Sequence, residues 1–126
     1  MTIKMTSIPV KNPIEAHQYY TEVLGFQSFM FMPEAQLAIV VSSEDPKGTT
    51  LLLEPIGSTF YQTFQEEAYR QGLPILILGS EDVKAEFQRL SEKGVKFKQE
   101  PKTNEWGTSA VFEDSCGNYI QIHQDV

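Results

Sequence analysis

Apolar residues along the chain follow two spacings, a strict alternation in some segments and a helical repeat in others. Near the C-terminus, Ala110–Phe112 is an apolar run, and Tyr119–His123 alternates between apolar and polar residues. The segment between them, Asp114–Asn118, is rich in residues that favour turns. The pattern therefore predicts a closing β-hairpin whose last strand has one polar face. That face consists of Tyr119, Gln121 and His123.

The same spacings predict six further strands and three helices. The strands are Met1–Val10, Phe26–Met32, Gln36–Ser42, Thr49–Glu54, Pro74–Gly79 and Val95–Gln99. The helices are Ile14–Leu24, Ser58–Gln71 and Val83–Lys93. Asn12 and Asp82 are suited to cap the first and third helices, and Gly25 and Gly94 to end them. The segment 100–107, which contains the only tryptophan, is predicted to be a loop.

The order of these elements occurs twice. A strand, a capped helix, a glycine and three strands are followed by the same series, with cap-to-glycine distances of 13 and 12 residues. This duplication predicts an α+β fold of two βαβββ modules, residues 1–57 and 74–126, within one domain. A linker helix, residues 58–73, joins them. Each half-sheet is expected to place one face on its helix and leave the other free, and the free faces are expected to curve around a shared cavity.

The charge of the chain limits its partners. Ten Lys and Arg against seventeen Asp and Glu give a net charge of −7, and no basic run occurs. We therefore expect no nucleic-acid partner and no binding to anionic membranes. No apolar run approaches the length of a membrane span, and the N-terminus lacks the apolar core of a signal peptide. A single cysteine excludes an internal disulfide. These features predict a cytoplasmic protein.

Three motifs resemble the glyoxalase/bleomycin-resistance/extradiol-dioxygenase superfamily, also called vicinal oxygen chelate proteins. They are the Tyr-Tyr-x-x-x-Leu-Gly-Phe end of the first helix (19–26), the Asp-Val-x-Ala-x-Phe-x-x-Leu-x-x-Lys-Gly helix (82–94) and the Phe-x-Asp-x-x-Gly-Asn-x-Ile-Gln hairpin (112–121). The resemblance implies a cupped mixed sheet with helices on its outer face. It also implies a homodimer, because small members of the superfamily often dimerise.

For metal-using members, the resemblance implies a divalent ion on the concave face of the sheet. Alignment on the motifs places the four ligand positions on Met5, near Leu52, near Ile75 and on Gln121. Aliphatic side chains have no lone pair, and a thioether is a poor ligand for hard or borderline ions. We therefore expect neither a metal site nor another cofactor.

Two residues favour the presence of a metal site. Glu54 and His123 lie two positions beyond the second and fourth ligand positions, so the strand period places them on the same faces. A register shift of two residues in both strands would bring Glu54, Gln121 and His123 to one divalent metal. The alternative is that neither residue binds a metal. Glu54 is then a carboxylate at the end of a strand, and His123 is a solvated residue near the terminus.

Aromatic residues outside these positions have more than one interpretation. Trp106 is expected to pack within its loop or to border the cavity as a lid. The stripe Phe29–Met32 is expected to be sheet core, with an apolar pocket or a dimer seam as alternatives. Tyr61 and Tyr69 are expected to be partly exposed residues of the linker helix.

We expect a metal-independent small-molecule-binding protein of the bleomycin-resistance type, which binds a partly hydrophobic ligand on the concave sheet face. The expected ligand contacts are Met5, Leu52, Glu54, Ile75, Trp106, Gln121 and His123. One alternative is a metal-dependent lyase, isomerase or dioxygenase related to lactoylglutathione lyase, with Glu54 as the base. A second alternative is a structural or regulatory dimer without a ligand. The sequence alone leaves open whether any reaction is catalysed.

Overall fold

Eight strands and three α-helices form the protein, and the computed structural model describes all residues from 1 to 126. The strands are β1 (Met5–Val10), β2 (Gln27–Met32), β3 (Leu37–Val41), β4 (Thr50–Pro55), β5 (Pro74–Gly79), β6 (Phe97–Asn104), β7 (Gly107–Glu113) and β8 (Tyr119–Asp125). The helices are α1 (Pro13–Gln18), α2 (Thr59–Arg70) and α3 (Val83–Glu92). None of them is long and apolar enough to cross a membrane.

The chain divides into two compact units, residues 1–65 and 66–126, each with its own four-stranded sheet. Sheet 1 has the strand order β1-β4-β3-β2, and sheet 2 has the order β5-β8-β7-β6. The first pair of each sheet is parallel and the remaining pairs are antiparallel. The second order equals the first with every strand number raised by four. The predicted α+β fold of two βαβββ modules is thus confirmed.

In the first unit, α1 packs on β3 and β4. Asn12 caps the helix, because its Oδ1 accepts hydrogen bonds from the backbone N–H groups of Ile14 (3.0 Å) and Glu15 (3.2 Å). The predicted single helix changes character after Gln18, and residues 19–23 form a π-helical turn. The Thr21 hydroxyl donates to the carbonyl of His17 at 2.8 Å, a local bond that competes with the regular helical ladder.

In the second unit, α3 packs on β6, β7 and β8. Asp82 Oδ1 accepts from the N–H of Ala85 at 3.0 Å, and Gln124 Oε1 accepts from the N–H of Val83 at 2.9 Å. Side-chain caps and strand β8 therefore fix the start of the helix together. The core beneath the helix consists of Val83, Leu90, Ala110, Phe112, Ile120 and Ile122.

The predicted loop at residues 100–107 is wrong, because β6 continues to Asn104 and β7 begins at Gly107. The pattern predicts a strand only to Gln99 because β6 carries Pro101 and lies at the edge of sheet 2, where it alternates charged residues with half-buried ones. Only Glu105 and Trp106 remain in the turn. Gly107 is required after it, since a Cβ there would lie 2.0 Å from the carbonyl oxygen of Gln124.

Strand β2 is an apolar strand at the edge of sheet 1, and all six of its residues are exposed. The expectation that Phe29–Met32 forms sheet core is therefore wrong. An edge strand has a neighbour on one side only, so hydrophobicity along it does not imply burial. The exposed fractions are 52% for Phe29, 42% for Met30, 38% for Phe31 and 43% for Met32.

The turn between β7 and β8 is organised by the buried carboxylate of Asp114. Its Oδ1 accepts from the N–H groups of Cys116 (2.8 Å) and Asn118 (3.0 Å), and its Oδ2 accepts from Asn118 Nδ2 (2.9 Å). Ser115 and Gly117 have positive φ values of 60° and 101°. The hairpin with a turn that bonds to its own backbone was correctly predicted from the sequence.

Replacing Asp114 by Ala is expected to destabilise the protein by about 3 kcal/mol, because two backbone N–H groups and a buried amide lose their acceptor. The free energy of unfolding in urea measures this loss. Asp82→Ala, which removes an exposed helix cap, serves as the comparison, and we expect a cost of about 1 kcal/mol. Equal losses in the two variants would contradict the organising role of Asp114.

Candidate functional site

Strand alternation and register divide each sheet into a face under its helix and a face without one. In sheet 1, His17 of α1 stacks on Phe31 with ring centroids 4.0 Å apart, which marks the helix side. The opposite side carries Met5, Ser7, Met30, Ile39, Leu52 and Glu54, according to the pairs Ser7–Leu52, Ile39–Leu52, Met30–Ile39 and Pro9–Glu54. We call these six residues the open face of sheet 1.

Three of the predicted contacts, Met5, Leu52 and Glu54, thus lie together on the open face of sheet 1. Met5 is exposed, and Leu52 and Glu54 are half-buried. The face is mostly apolar, with Ser7 and Glu54 as its polar residues. Such a surface suits an apolar ligand that is oriented by a few hydrogen bonds.

Helix α2 borders this face with a polar side chain. The hydroxyl of Tyr61 lies 3.4 Å from Ser7 Oγ and also contacts the carboxylate of Glu54. Partial burial and the neighbouring Glu54 raise the pKa of Tyr61, while the Ser7 hydrogen bond opposes that rise. Four residues further along, Gln65 is buried and its Nε2 donates to the carbonyl of Pro9 at 2.9 Å. This bond ties the middle of α2 to β1.

In sheet 2, the corresponding face includes the polar side of β8. Gln121 pairs with Ile77 on β5 and with Val111 on β7, and His123 pairs with Ser109. The Nε2 atom of His123 lies 3.3 Å from Asp125 Oδ1. Ile77 is 63% exposed, so an apolar side chain lies beside the amide of Gln121.

Ile75 and Trp106, the other predicted contacts, have different surroundings. Ile75 lies at the register irregularity between Pro74 and Leu76, where strict alternation does not assign a side of the sheet. Trp106 lies in the β6–β7 turn, is 73% exposed, and donates its backbone N–H to Asn104 Oδ1 at 2.8 Å. Both residues stay predicted contacts.

A second tyrosine of α2 contacts sheet 2. Tyr69 stacks on Tyr119 with ring centroids 4.6 Å apart and donates its hydroxyl to Glu113 Oε1. Lys98 Nζ lies 5.7 Å from the centroid of the Tyr119 ring. The hydrogen bond to Glu113 raises the pKa of Tyr69 far above its ordinary value, so its hydroxyl stays protonated and continues to donate.

The donor groups of the protein do not fit a resident metal ion. No group of three or more His, Cys, Asp or Glu side chains is arranged to hold one. The positions that the family resemblance implies carry a thioether, two aliphatic side chains and one neutral amide. Of the fallback ligands, Glu54 contacts Tyr61 and His123 contacts Asp125.

The predicted contacts did not include Ser7, Met30, Ile39, Tyr61 or Ile77, which lie on or beside these surfaces. Ser7 carried a usable signal, since it lies two residues beyond Met5 on the same strand. Tyr61 carried none, because its contact with Ser7 joins residues 54 positions apart.

Comparisons with known proteins agree with this architecture. The family model of the Glyoxalase/Bleomycin resistance protein/Dioxygenase superfamily matches residues 2–122. The uncharacterized protein YurT of Bacillus subtilis (strain 168) is 41% identical, and the match covers 98% of this chain and 99% of YurT.

Solved structures give the same result. The structure of UcmS2 superposes with a TM-score of 0.83 at 27% identity, over 99% of this chain and 98% of that one. TnmS3, described as an antibiotic binding protein from Streptomyces sp. CB03234, superposes with a TM-score of 0.80 at 28% identity, over 100% of this chain and 97% of that one. The chain belongs to the glyoxalase/bleomycin resistance protein/dioxygenase superfamily.

Proposed function

We propose that the protein binds a partly hydrophobic small molecule and that it does so without a metal ion. The observation that carries the proposal is the composition of the open face of sheet 1. Met5, Met30 and Leu52 offer apolar surface beside the buried Ile39, whereas Ser7 and Glu54 offer hydrogen bonds. Apolar surface with few directed polar groups is typical of small-molecule sites.

The similarity to TnmS3 supports the same class of function, because that protein is described as antibiotic binding. We extend only this general class, a small organic ligand, to the present chain. On sheet 2 we propose contacts from Gln121 and His123, and we retain Ile75 and Trp106 as predicted from the sequence. The absence of nucleic-acid partners and the cytoplasmic location remain sequence predictions.

Metal independence is supported by the chemistry of the side chains. Ligation needs several lone-pair donors at one point, and Met5, Leu52 and Ile75 do not provide them. In the competing function, a lyase, isomerase or dioxygenase, a divalent ion would chelate oxygen atoms of the substrate, and Glu54 would serve as base. The fallback ligands for that ion are Glu54, Gln121 and His123.

Thermal unfolding distinguishes these functions. A ligand that binds only the folded state stabilises it by about 2.7 kcal/mol at a concentration one hundred times its Kd. With acridone, a neutral planar probe, we expect the midpoint of unfolding to rise by several degrees. With Ni, Zn, Mn or Fe(II) we expect no rise. A metal-dependent rise that disappears in the double variant Glu54→Gln/His123→Asn would contradict metal independence.

Matched leucine variants control this experiment. Leu52→Asn places an amide on the open face of sheet 1, and we expect it to abolish most of the acridone-dependent shift. Leu73→Asn makes the same change at an exposed leucine between α2 and β5, and we expect the shift to persist. A wild-type protein stabilised by no probe would favour the ligand-free dimer.

We also propose that the protein is a homodimer. The support is β2, an edge strand with unpaired backbone groups and exposed Phe and Met side chains. Exposed apolar edges of this kind tend to pair with another chain. A second copy would remove both the apolar side chains and the open backbone edge from water.

Light scattering after size exclusion tests the homodimer. At micromolar concentration we expect a mass of twice 14.3 kDa for the wild type. Phe29→Lys, which puts a charge on the edge strand, should shift the mass toward 14.3 kDa. Ile14→Lys makes a comparable change at an exposed apolar residue of α1 and should leave the dimer intact. A monomeric wild type would refute the homodimer.

A further inference from the structure

Glu54 is a half-buried carboxylate without a cationic partner. It lies on β4 beside Leu52 and opposite Pro9 of β1. The ion pairs Arg70–Glu67 and Arg89–Glu86 and the contact between His123 and Asp125 lie in residues 66–126, and Glu54 takes part in none of them. A carboxylate partly removed from water has lost hydration that only an added donor or cation restores.

The polar neighbours of Glu54 are neutral. The Tyr61 hydroxyl contacts its carboxylate and lies 3.4 Å from Ser7 Oγ. An ionised carboxylate has about four acceptor positions on its two oxygens, and one neighbouring phenol can donate to only one of them. The remaining positions are available to a donor that approaches across the open face of sheet 1.

The surroundings of this carboxylate define the rest of the ligand. Met5, Met30, Ile39 and Leu52 share the face with it. An aromatic or otherwise apolar body resting on them would exclude water from the carboxylate, and electrostatic attraction is stronger at low dielectric. Thioether side chains adapt to varied ring shapes and make favourable contacts with aromatic rings.

We propose that Glu54 recognises a protonated amine, or an equivalent cationic nitrogen, on a ligand whose apolar body lies on the open face of sheet 1. This inference rests on the proposed small-molecule function and narrows the ligand class to amphiphilic cations. The ammonium group donates to Glu54, Tyr61 keeps the carboxylate oriented, and the apolar body contacts the methionine and aliphatic side chains.

Sheet 2 contains a second pair of a tyrosine and a glutamate, Tyr69 and Glu113, in a different environment. This pair provides the control for Glu54. Glu113 accepts from Tyr69, as Glu54 contacts Tyr61. However, Tyr69 stacks on Tyr119, and Lys98 Nζ lies 5.7 Å from the centroid of that ring. The chain thus supplies a cation near the second pair, whereas Glu54 of the first pair forms no ion pair. Removing either carboxylate changes the net charge equally.

Fluorescence titration with two probes of the same tricyclic shape tests the proposal. One is 9-aminoacridine, which is cationic at neutral pH, and the other is neutral acridone. We expect the wild type to bind the cation about tenfold more tightly, the effect of one charge-assisted hydrogen bond. Glu54→Gln should remove this preference, so that the ratio of the two affinities falls to about one. Glu113→Gln should retain the preference, which separates a local site from general attraction by the acidic protein.

A second variant covers the case in which Glu54→Gln does not fold. Ser7→Lys places a cation beside Tyr61 and Glu54 at an exposed position, so it neutralises the carboxylate without removing it. We expect the same loss of preference for the cation. Equal affinity of the wild type for both probes would overturn the inference, and so would a preference for the cation that survives Glu54→Gln or Ser7→Lys. In either case, binding of acridone would still support the proposed function. Failure of both probes to bind would overturn the proposed function as well.

Discussion

Each four-stranded sheet is covered by one helix on one face, and the rest of the structure depends on this constraint. Because side chains alternate along a strand, every second residue must be apolar and buried, as Ile8, Leu53, Phe112 and Ile120 are. Some residues between them are buried as well, such as Pro9 and Ile39, whereas Ser7, Leu52 and Glu54 are exposed or half-buried and are free to carry recognition chemistry. A slip of one residue in register would exchange the two sets, so the same pairing fixes both the fold and the positions of the proposed ligand contacts.

Much of the fold was predictable because its signals are local. Asn12 and Asp82 cap helices, and the closing turn is bonded by its own Asp114. The failures occurred at the edges of the sheets. Strand β6 carries charges and a proline, and β2 carries apolar residues that remain exposed. At an edge, the missing neighbour breaks the usual relation between hydrophobicity and burial, and no local pattern reveals which strand is outermost.

The candidate site was only partly predictable, for a similar reason. Alternation within strands was enough to place Leu52 and Glu54 on one face. The neutral partner of Glu54 was not predictable, because Tyr61 reaches it through the packing of α2, which Gln65 fixes against β1. The residues around Glu54 change the interpretation of its carboxylate, which from the sequence was a fallback metal ligand. Its apolar neighbours support the proposal that Glu54 meets a cationic nitrogen of a ligand rather than a resident metal ion.

The four methionines of the chain offer the most direct test of ligand binding on the open face of sheet 1. Met5 and Met30 lie on that face, whereas Met1 precedes the first strand. In a protein labelled with ¹³C at the methionine methyl groups, titration with acridone should shift the resonances of Met5 and Met30 and leave that of Met1 unchanged. Saturable binding of acridone with no change at Met5 and Met30 would contradict this location of the site.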